Sequence, residues 1–146
     1  VFKIPKAWQA RLQYADLAKQ FAESNSSPNA KQIFDAVCTL RSNKLPDPKV
    51  IGNAGSFFQN PIVSTEQFEQ LIKKFPNLVS YPDTPGMQKL AAGWLIDQCG
   101  FKGKQALVLT NYGGSTANDI LSLAKSIQDK VNEVFGVQLQ IEPNLL

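Results

Sequence analysis

Residues 116–141 read TANDILSLAKSIQDKVNEVFGVQLQI and carry the clearest secondary-structure pattern in the chain. Thr116, with Asp119 three positions later, is typical of a helix start, and Gly136 is typical of the residue just after a helix end. Apolar residues recur at helical spacing between them, and after Gly136 they alternate with glutamines up to Ile141. The stretch therefore predicts a helix over 117–135 followed by a strand over 137–141.

The flanking sequence mixes further helical and strand patterns. Apolar spacing predicts helices over 12–23, 28–42, 64–75 and 88–98. Ser27 before Pro28 predicts the start of the second of these helices, and Ser64-Thr-Glu-Gln67 predicts a capping box at the third. Short apolar runs predict strands over 1–4 and 105–110. Because no regular βαβ repeat is present, we predict an α+β fold, with helices packed on a small mixed sheet in a single domain.

Composition excludes several kinds of site. The 146 residues contain no histidine, which excludes His-based acid–base catalysis and His-ligated zinc. Cys38 and Cys99 are far apart and form no C-x-x-C pattern, so we predict no metal site. The net charge is only +3, which argues against a nucleic-acid partner or an anionic membrane surface. The longest apolar run, residues 90–96, is too short to span a bilayer.

The stretch with the most unusual composition is Gly52-Asn-Ala-Gly-Ser-Phe-Phe-Gln-Asn-Pro61. Two glycines three positions apart let backbone N–H groups approach a ligand closely, and Ser56 follows the second glycine directly. The alternative is a structural glycine turn before a buried Phe-Phe pair. Spacing alone leaves both interpretations open.

Two further side chains have both a binding and a structural interpretation. Lys44 precedes the rigid Pro46-Asp-Pro48 segment, which suits a fixed cation, although a lone lysine is more often a solvated surface charge. Tyr81 opens a turn-rich loop over 81–86, where it could cover a ligand or pack on the domain edge.

Three motifs in the same order resemble one enzyme family. They are Lys44-Leu-Pro-Asp-Pro-Lys49, Gly52–Pro61 as quoted above, and Lys89-Leu-Ala-Ala-Gly-Trp-Leu-Ile-Asp-Gln-Cys99. Together they resemble the C-terminal part of UDP-N-acetylenolpyruvoylglucosamine reductase, a cytoplasmic enzyme of peptidoglycan precursor synthesis. The resemblance implies that residues 1–27 are carried over from a preceding domain and that 28–146 form a substrate-binding domain.

The resemblance also implies a chemistry. In the family, upstream domains bind FAD, NADPH reduces the flavin, and a hydride passes to UDP-N-acetylglucosamine enolpyruvate. The serine at the position of Ser56 then protonates C2 of the substrate. By the same resemblance, Lys44 faces the nucleotide diphosphate, and Asn60, Tyr81 and Gln105 lie near the UDP moiety. Without the FAD-binding domains we expect this chain alone to be inactive.

The sequence departs from the family pattern in two places. The family closes with E-P-E-V-R, in which the second Glu joins the serine in catalysis, whereas Glu142-Pro143 is followed here by Asn144. Asn144 cannot ionise, and Glu142 is offset by two residues, about 7 Å along a strand. The Gly103–Lys104 junction also replaces a longer loop of the family, and we hypothesise that it joins the two sides of that loop. The loss of the carboxylate leaves a non-catalytic UDP-sugar-binding module as the alternative function.

Overall fold

The computed structural model describes residues 8–22, 27–101 and 106–143. The chain divides into two compact units, Val1–Pro46 and Asp47–Leu146. The strand predicted over 1–4 lies outside the described residues, and the domain boundary predicted after residue 27 stays a prediction.

The described residues of the first unit form two helices, α1 (Ala15–Gln20) and α2 (Ala30–Lys44). Asn29 caps α2 in a reciprocal box, since its Oδ1 accepts from the Gln32 N–H at 2.9 Å and the Gln32 side chain accepts from the Asn29 N–H at 2.8 Å. The prediction of Ser27 as the N-cap is therefore wrong, because Asn29 has a matching N3 partner. The helix itself is confirmed. None of its side chains is buried, however, and its Phe34 is 67% exposed.

In the second unit, residues 47–101 and 106–143 form three helices and five strands. The helices are α3 (Thr65–Lys74), α4 (Ala92–Gln98) and α5 (Ala117–Phe135). The strands are β1 (Gly52–Ser56), β2 (Ile62–Ser64), β3 (Ser80–Pro82), β4 (Met87–Leu90) and β5 (Val108–Asn111). β1 pairs with β5, and β2, β4 and β3 form a second sheet in that order, with every pairing antiparallel. The α+β class is confirmed, but the strands form two small antiparallel sheets instead of one mixed sheet.

Helix α5 has the bounds that the sequence predicts. Thr116 Oγ1 accepts from the Asp119 N–H at 3.2 Å, and the Asp119 carboxylate accepts from the Thr116 N–H at 2.7 Å. The N–H and hydroxyl of Thr116 also hold the pKa of Asp119 below its usual value. At the other end Gly136 has φ 64°, a left-handed conformation that costs glycine little.

Three other predicted elements differ from the structure. Residues 88–90 belong to β4 and not to a helix, because they pair with β2 and β3, which are distant in sequence. Residues 52–56 form β1 and not a turn. The segment 137–141 keeps the predicted alternation of buried and exposed residues, but it makes only an isolated bridge, Phe58 to Ile141.

The core of the second unit lies between α4, α5 and the first residues after β1. Its largest side chains with almost no exposure are Phe58, Leu90, Leu95, Ile96, Ile127, Leu139 and Val131. The ring of Phe135, at the end of α5, lies 4.7 Å from that of Phe75 and 5.9 Å from that of Trp94. Across the described ranges, no helix is both long and apolar enough to cross a membrane.

Candidate functional site

A bulge in β1 determines the direction of the Ser56 side chain. Asn53 pairs with Thr110 and Ser56 with Val108, so β1 carries one more residue than β5 between these pairs. The extra length is taken up at Gly55, whose φ is 74°. A bulge with a left-handed glycine bends the strand and redirects the side chain that follows it. Ser56 is exposed, whereas the next two side chains, Phe57 and Phe58, are buried.

The side chain of Asn53 holds this bulge in place. Its Oδ1 accepts from the Gly55 N–H at 3.1 Å, and its Nδ2 donates to the Ile51 carbonyl at 2.9 Å. Asparagine commonly stabilises a turn by bonding the backbone two residues further on. The second residue of the Gly52–Pro61 motif therefore has a local structural role, which is to fix the backbone just before Ser56.

The C-terminal segment runs alongside the residues that follow Ser56. The N–H of Glu142 donates to the Phe57 carbonyl at 2.9 Å, and the N–H of Gln59 donates to the Gln140 carbonyl at 2.9 Å. Gln128 of α5 anchors the same segment by donating to the Leu139 carbonyl at 2.8 Å. The fold thus places the backbone of Glu142 next to that of Phe57, one residue beyond Ser56, and the Glu142 residue is exposed.

Asn60 connects the motif to helix α4. Its Oδ1 accepts from the Ala92 N–H at 2.9 Å, at the helix end where the N-cap Ala91 provides no side-chain acceptor. A shallow cleft of about 220 Å³ lies beside it, and its walls are Gln59, Asn60, Pro61, Ile62, Gln138 and Gln140. Because Oδ1 is used by the helix, the Nδ2 group is the part of Asn60 best suited to donate to a ligand.

Replacing Asn60 by alanine and by aspartate should separate these two roles. Asn60→Ala should lower the free energy of unfolding by about 0.5–2 kcal/mol, because the Ala92 N–H loses its acceptor. Asn60→Asp should keep the wild-type stability, since a carboxylate accepts the same bond and suits a helix N-terminus. Urea unfolding of the chain measures both values. Equal destabilisation by the two variants would contradict a capping role.

Tyr81 lies on β3, in the sheet formed by β2, β4 and β3. Its two neighbours in the same cross-strand row are exposed or half-buried. The pairing places Lys89 of β4 between Tyr81 of β3 and Ile62 of β2. Tyr81 is 52% exposed, so it does not pack into the core. Lys89 Nζ lies 2.7 Å from Asp83 Oδ1, and this hydrogen bond, with the Thr84 N–H, holds the pKa of Asp83 below its usual value. Lys89 is a cation that the sequence argument missed, although it opens the third motif.

Lys44 ends α2 and lies against two polar side chains of the first unit. Its Nζ donates to the Asp16 carboxylate and, at 2.8 Å, to the Tyr14 hydroxyl, and it lies 5.2 Å from the centroid of the Tyr14 ring. The hydrogen bonds to Asp16 and Tyr14 raise the pKa of Lys44, while the bond and charge of Lys44 lower the pKa of Asp16. The lysine is therefore oriented. Asp16 lies 28 positions away from it, and no motif in the sequence indicates that the two residues pair.

The remaining predicted positions lie outside the described residues. Gln105, Asn144 and the Gly103–Lys104 junction fall in the ranges 102–105 and 144–146, which the structure does not describe. Within 8–22, 27–101 and 106–143, no group of three His, Cys, Asp or Glu side chains could hold a metal ion.

Comparison with known proteins identifies the family. Residues 47–146 match the family "UDP-N-acetylenolpyruvoylglucosamine reductase, C-terminal domain". The chain therefore belongs to this family, as its three motifs indicate. The matched range coincides with the second compact unit, which begins at Asp47.

Curated relatives carry the same enzyme name. A UDP-N-acetylenolpyruvoylglucosamine reductase of Polynucleobacter asymbioticus is 67% identical over 156 residues, covering 100% of this chain and 45% of the relative. Those of Bordetella pertussis and Burkholderia vietnamiensis are 50% and 49% identical over 97% of this chain, which covers 43% and 44% of them. The chain thus spans less than half the length of these relatives. The alignment with the Polynucleobacter relative has 156 positions, whereas this chain has 146 residues. Ten positions of that alignment therefore have no residue in this chain.

Proposed function

We propose that this chain is the substrate-binding part of a longer reductase that converts UDP-N-acetylglucosamine enolpyruvate into UDP-N-acetylmuramate. The observation that carries the proposal is the presentation of Ser56. Ser56 is an exposed residue directly after a glycine bulge in the Gly52–Pro61 motif, while the neighbouring phenylalanines are buried in the core. Such a rigid support suits a group that must meet one atom of a bound substrate.

Ser56 is proposed as the acid that protonates C2 of the substrate. A hydroxyl is a weak acid, but hydride addition at C3 of the enolpyruvyl group leaves an electron pair at C2. That carbon is a strong base, and fixed geometry lowers the cost of the proton transfer to it. The proton leaves Oγ as the C2–H bond forms, and the resulting alkoxide must be reprotonated from solvent or a neighbouring acid. The region of Glu142 and Asn144 is proposed to assist, because the backbone of Glu142 lies beside that of Phe57.

FAD and NADPH are proposed to bind mainly to the part of the protein outside this chain. The resemblance supports this, because the family's upstream domains bind FAD. When bound, the flavin supplies the hydride. The residues of this chain are proposed to hold the substrate and to provide the proton.

The nucleotide half of the substrate is proposed to contact four side chains. Lys44 would face the diphosphate, for which an oriented ammonium is a suitable partner. Asn60 would donate from Nδ2, and Tyr81 and Gln105 would lie near the UDP moiety. Of these, Lys44, Asn60 and Tyr81 are exposed or half-buried in the structure, as ligand contacts must be.

Replacing Lys44 tests the binding part of the proposal. In the full-length protein, Lys44→Met should weaken the affinity for UDP about ten- to a hundredfold, because a charge-assisted hydrogen bond to phosphate is lost. Isothermal titration with UDP measures the change. Lys31→Met is the matched control, since Lys31 lies on the same helix and pairs with Asp35. If the two variants bind UDP with equal affinity, Lys44 is not part of the binding site.

The non-catalytic binding module gains no support from the relatives, which are named as reductases. That alternative depends on Asn144, which lies outside the described residues. Turnover by the full-length protein with NADPH and UDP-N-acetylglucosamine enolpyruvate distinguishes the two functions, because a binding module would take up the substrate without reducing it.

A further inference from the structure

Lys44 already has an anionic partner within its own unit. Its ammonium group donates to the Asp16 carboxylate and to the Tyr14 hydroxyl at 2.8 Å. A lysine ammonium has three N–H donors, so two of them are used before any ligand arrives. A phosphate oxygen that approaches Lys44 must take the remaining donor or replace one of these partners.

The position of Asp16 makes it the partner that a phosphate would replace. Asp16 lies at the start of α1, and its side chain is 35% exposed, while that of Lys44 is 40% exposed. Water therefore reaches both charges, and an exchange of one anion for another needs no rearrangement of the core. A partly exposed ion pair of this kind also contributes little to the free energy of unfolding, so separating Asp16 from Lys44 should cost the fold little.

The charges of Asp16 and Tyr14 also favour replacement of Asp16, and not of Tyr14, by a phosphate. The bond and charge of Lys44 lower the pKa of Asp16, so Asp16 is ionised at neutral pH and would repel a phosphate bound to the same ammonium. Tyr14 is neutral and approaches Lys44 with both its hydroxyl and its ring face. It can keep the lysine oriented while the carboxylate is displaced.

We propose that Asp16 is an internal counter-ion that competes with the phosphate group of a ligand for Lys44 and so sets the affinity of this site for phosphoanions. This inference rests on the proposed function, in which Lys44 faces a diphosphate. It assigns to Asp16 a role in affinity that neither the motifs nor the family match contains. The role is a positioning one, since Asp16 acts on the ligand through Lys44.

The test is a titration of the full-length protein with UDP, comparing wild type with Asp16→Asn. Asparagine keeps the shape and a hydrogen-bond acceptor but removes the charge, so we expect UDP to bind about two- to fivefold more tightly. Asp35→Asn is the matched control, because it removes an equal charge from a carboxylate that pairs with Lys31 on α2. Unchanged or weakened binding by Asp16→Asn, or an equal gain by Asp35→Asn, would overturn the inference.

A double variant separates this inference from the proposed function. If Asp16 acts through Lys44, adding Asp16→Asn to Lys44→Met should leave the affinity of Lys44→Met unchanged. A gain of the same size in the Lys44→Met background would show that Asp16 repels the ligand directly, which contradicts competition for the ammonium. If Lys44→Met alone binds UDP as wild type does, the proposed role of Lys44 fails first, and that result is distinct from a failure of Asp16.

Discussion

Ser56→Ala should lower the turnover of the full-length protein by about 10²- to 10⁴-fold, the range expected when a general acid is removed. Ser56 is an exposed residue at the bulge, so the loss should be in kcat and not in stability. Substrate affinity should stay near the wild-type value, because the proton moves only in the reaction step. Steady-state kinetics with NADPH measures both quantities.

The control for this variant is Ser122→Ala, an exposed serine on α5 whose loss should leave kcat unchanged. Ser56→Cys offers a second comparison, since a thiol can also donate a proton and should retain more activity than alanine. Turnover of Ser56→Ala within a factor of a few of wild type would exclude Ser56 as the proton donor.

Phe58→Ala should lower the free energy of unfolding by about 3–5 kcal/mol, the usual cost of removing a fully buried aromatic ring. The side chain is 1% exposed, and its ring lies 5.4 Å from that of Phe57 in an edge-to-face arrangement. Its backbone also forms the bridge to Ile141, so the cavity would open where the C-terminal segment joins the core. Urea unfolding measures the loss.

The matched control is Phe34→Ala on α2, where the side chain is 67% exposed. Removing it should change the unfolding free energy by no more than about 0.5 kcal/mol. If both variants cost the same, the buried position of Phe58 would be wrong. The burial of Phe57 and Phe58 confirms the buried Phe-Phe pair of the structural interpretation, and Ser56→Ala tests the functional interpretation of the same motif.

The sequence predicts elements well where the decisive contacts are local. The bounds of α5 follow from Thr116, Asp119 and Gly136, which act within one helical turn of its ends. Apolar spacing predicts the buried residues Ala124, Ile127, Val131 and Phe135, but Leu123 and Val134 share that spacing and are 41% and 40% exposed. The cap of α2 was misplaced by two residues because Ser27 fits the general preference, whereas the choice depends on the reciprocal bonds between Asn29 and Gln32.

The sequence predicts strands poorly where the partner strand is distant in the chain. The strand character of residues 52–56 depends on β5, more than fifty positions away, and a glycine-rich segment carries no strand propensity of its own. The same reason explains residues 88–90, whose partners lie on both sides in the second sheet. In the candidate site, the resemblance supplied Ser56 and Lys44, but only the folded chain shows the bulge at Gly55 and the pairing with Asp16.

The most direct test of the proposed function is a single turnover of the full-length protein with its flavin already reduced. Mixing with UDP-N-acetylglucosamine enolpyruvate and quenching at timed intervals gives the rate at which the C2-protonated product forms. We expect this rate to fall at least a hundredfold in Ser56→Ala and to stay unchanged in Ser122→Ala. Product formation by Ser56→Ala at the wild-type rate would contradict the role of Ser56.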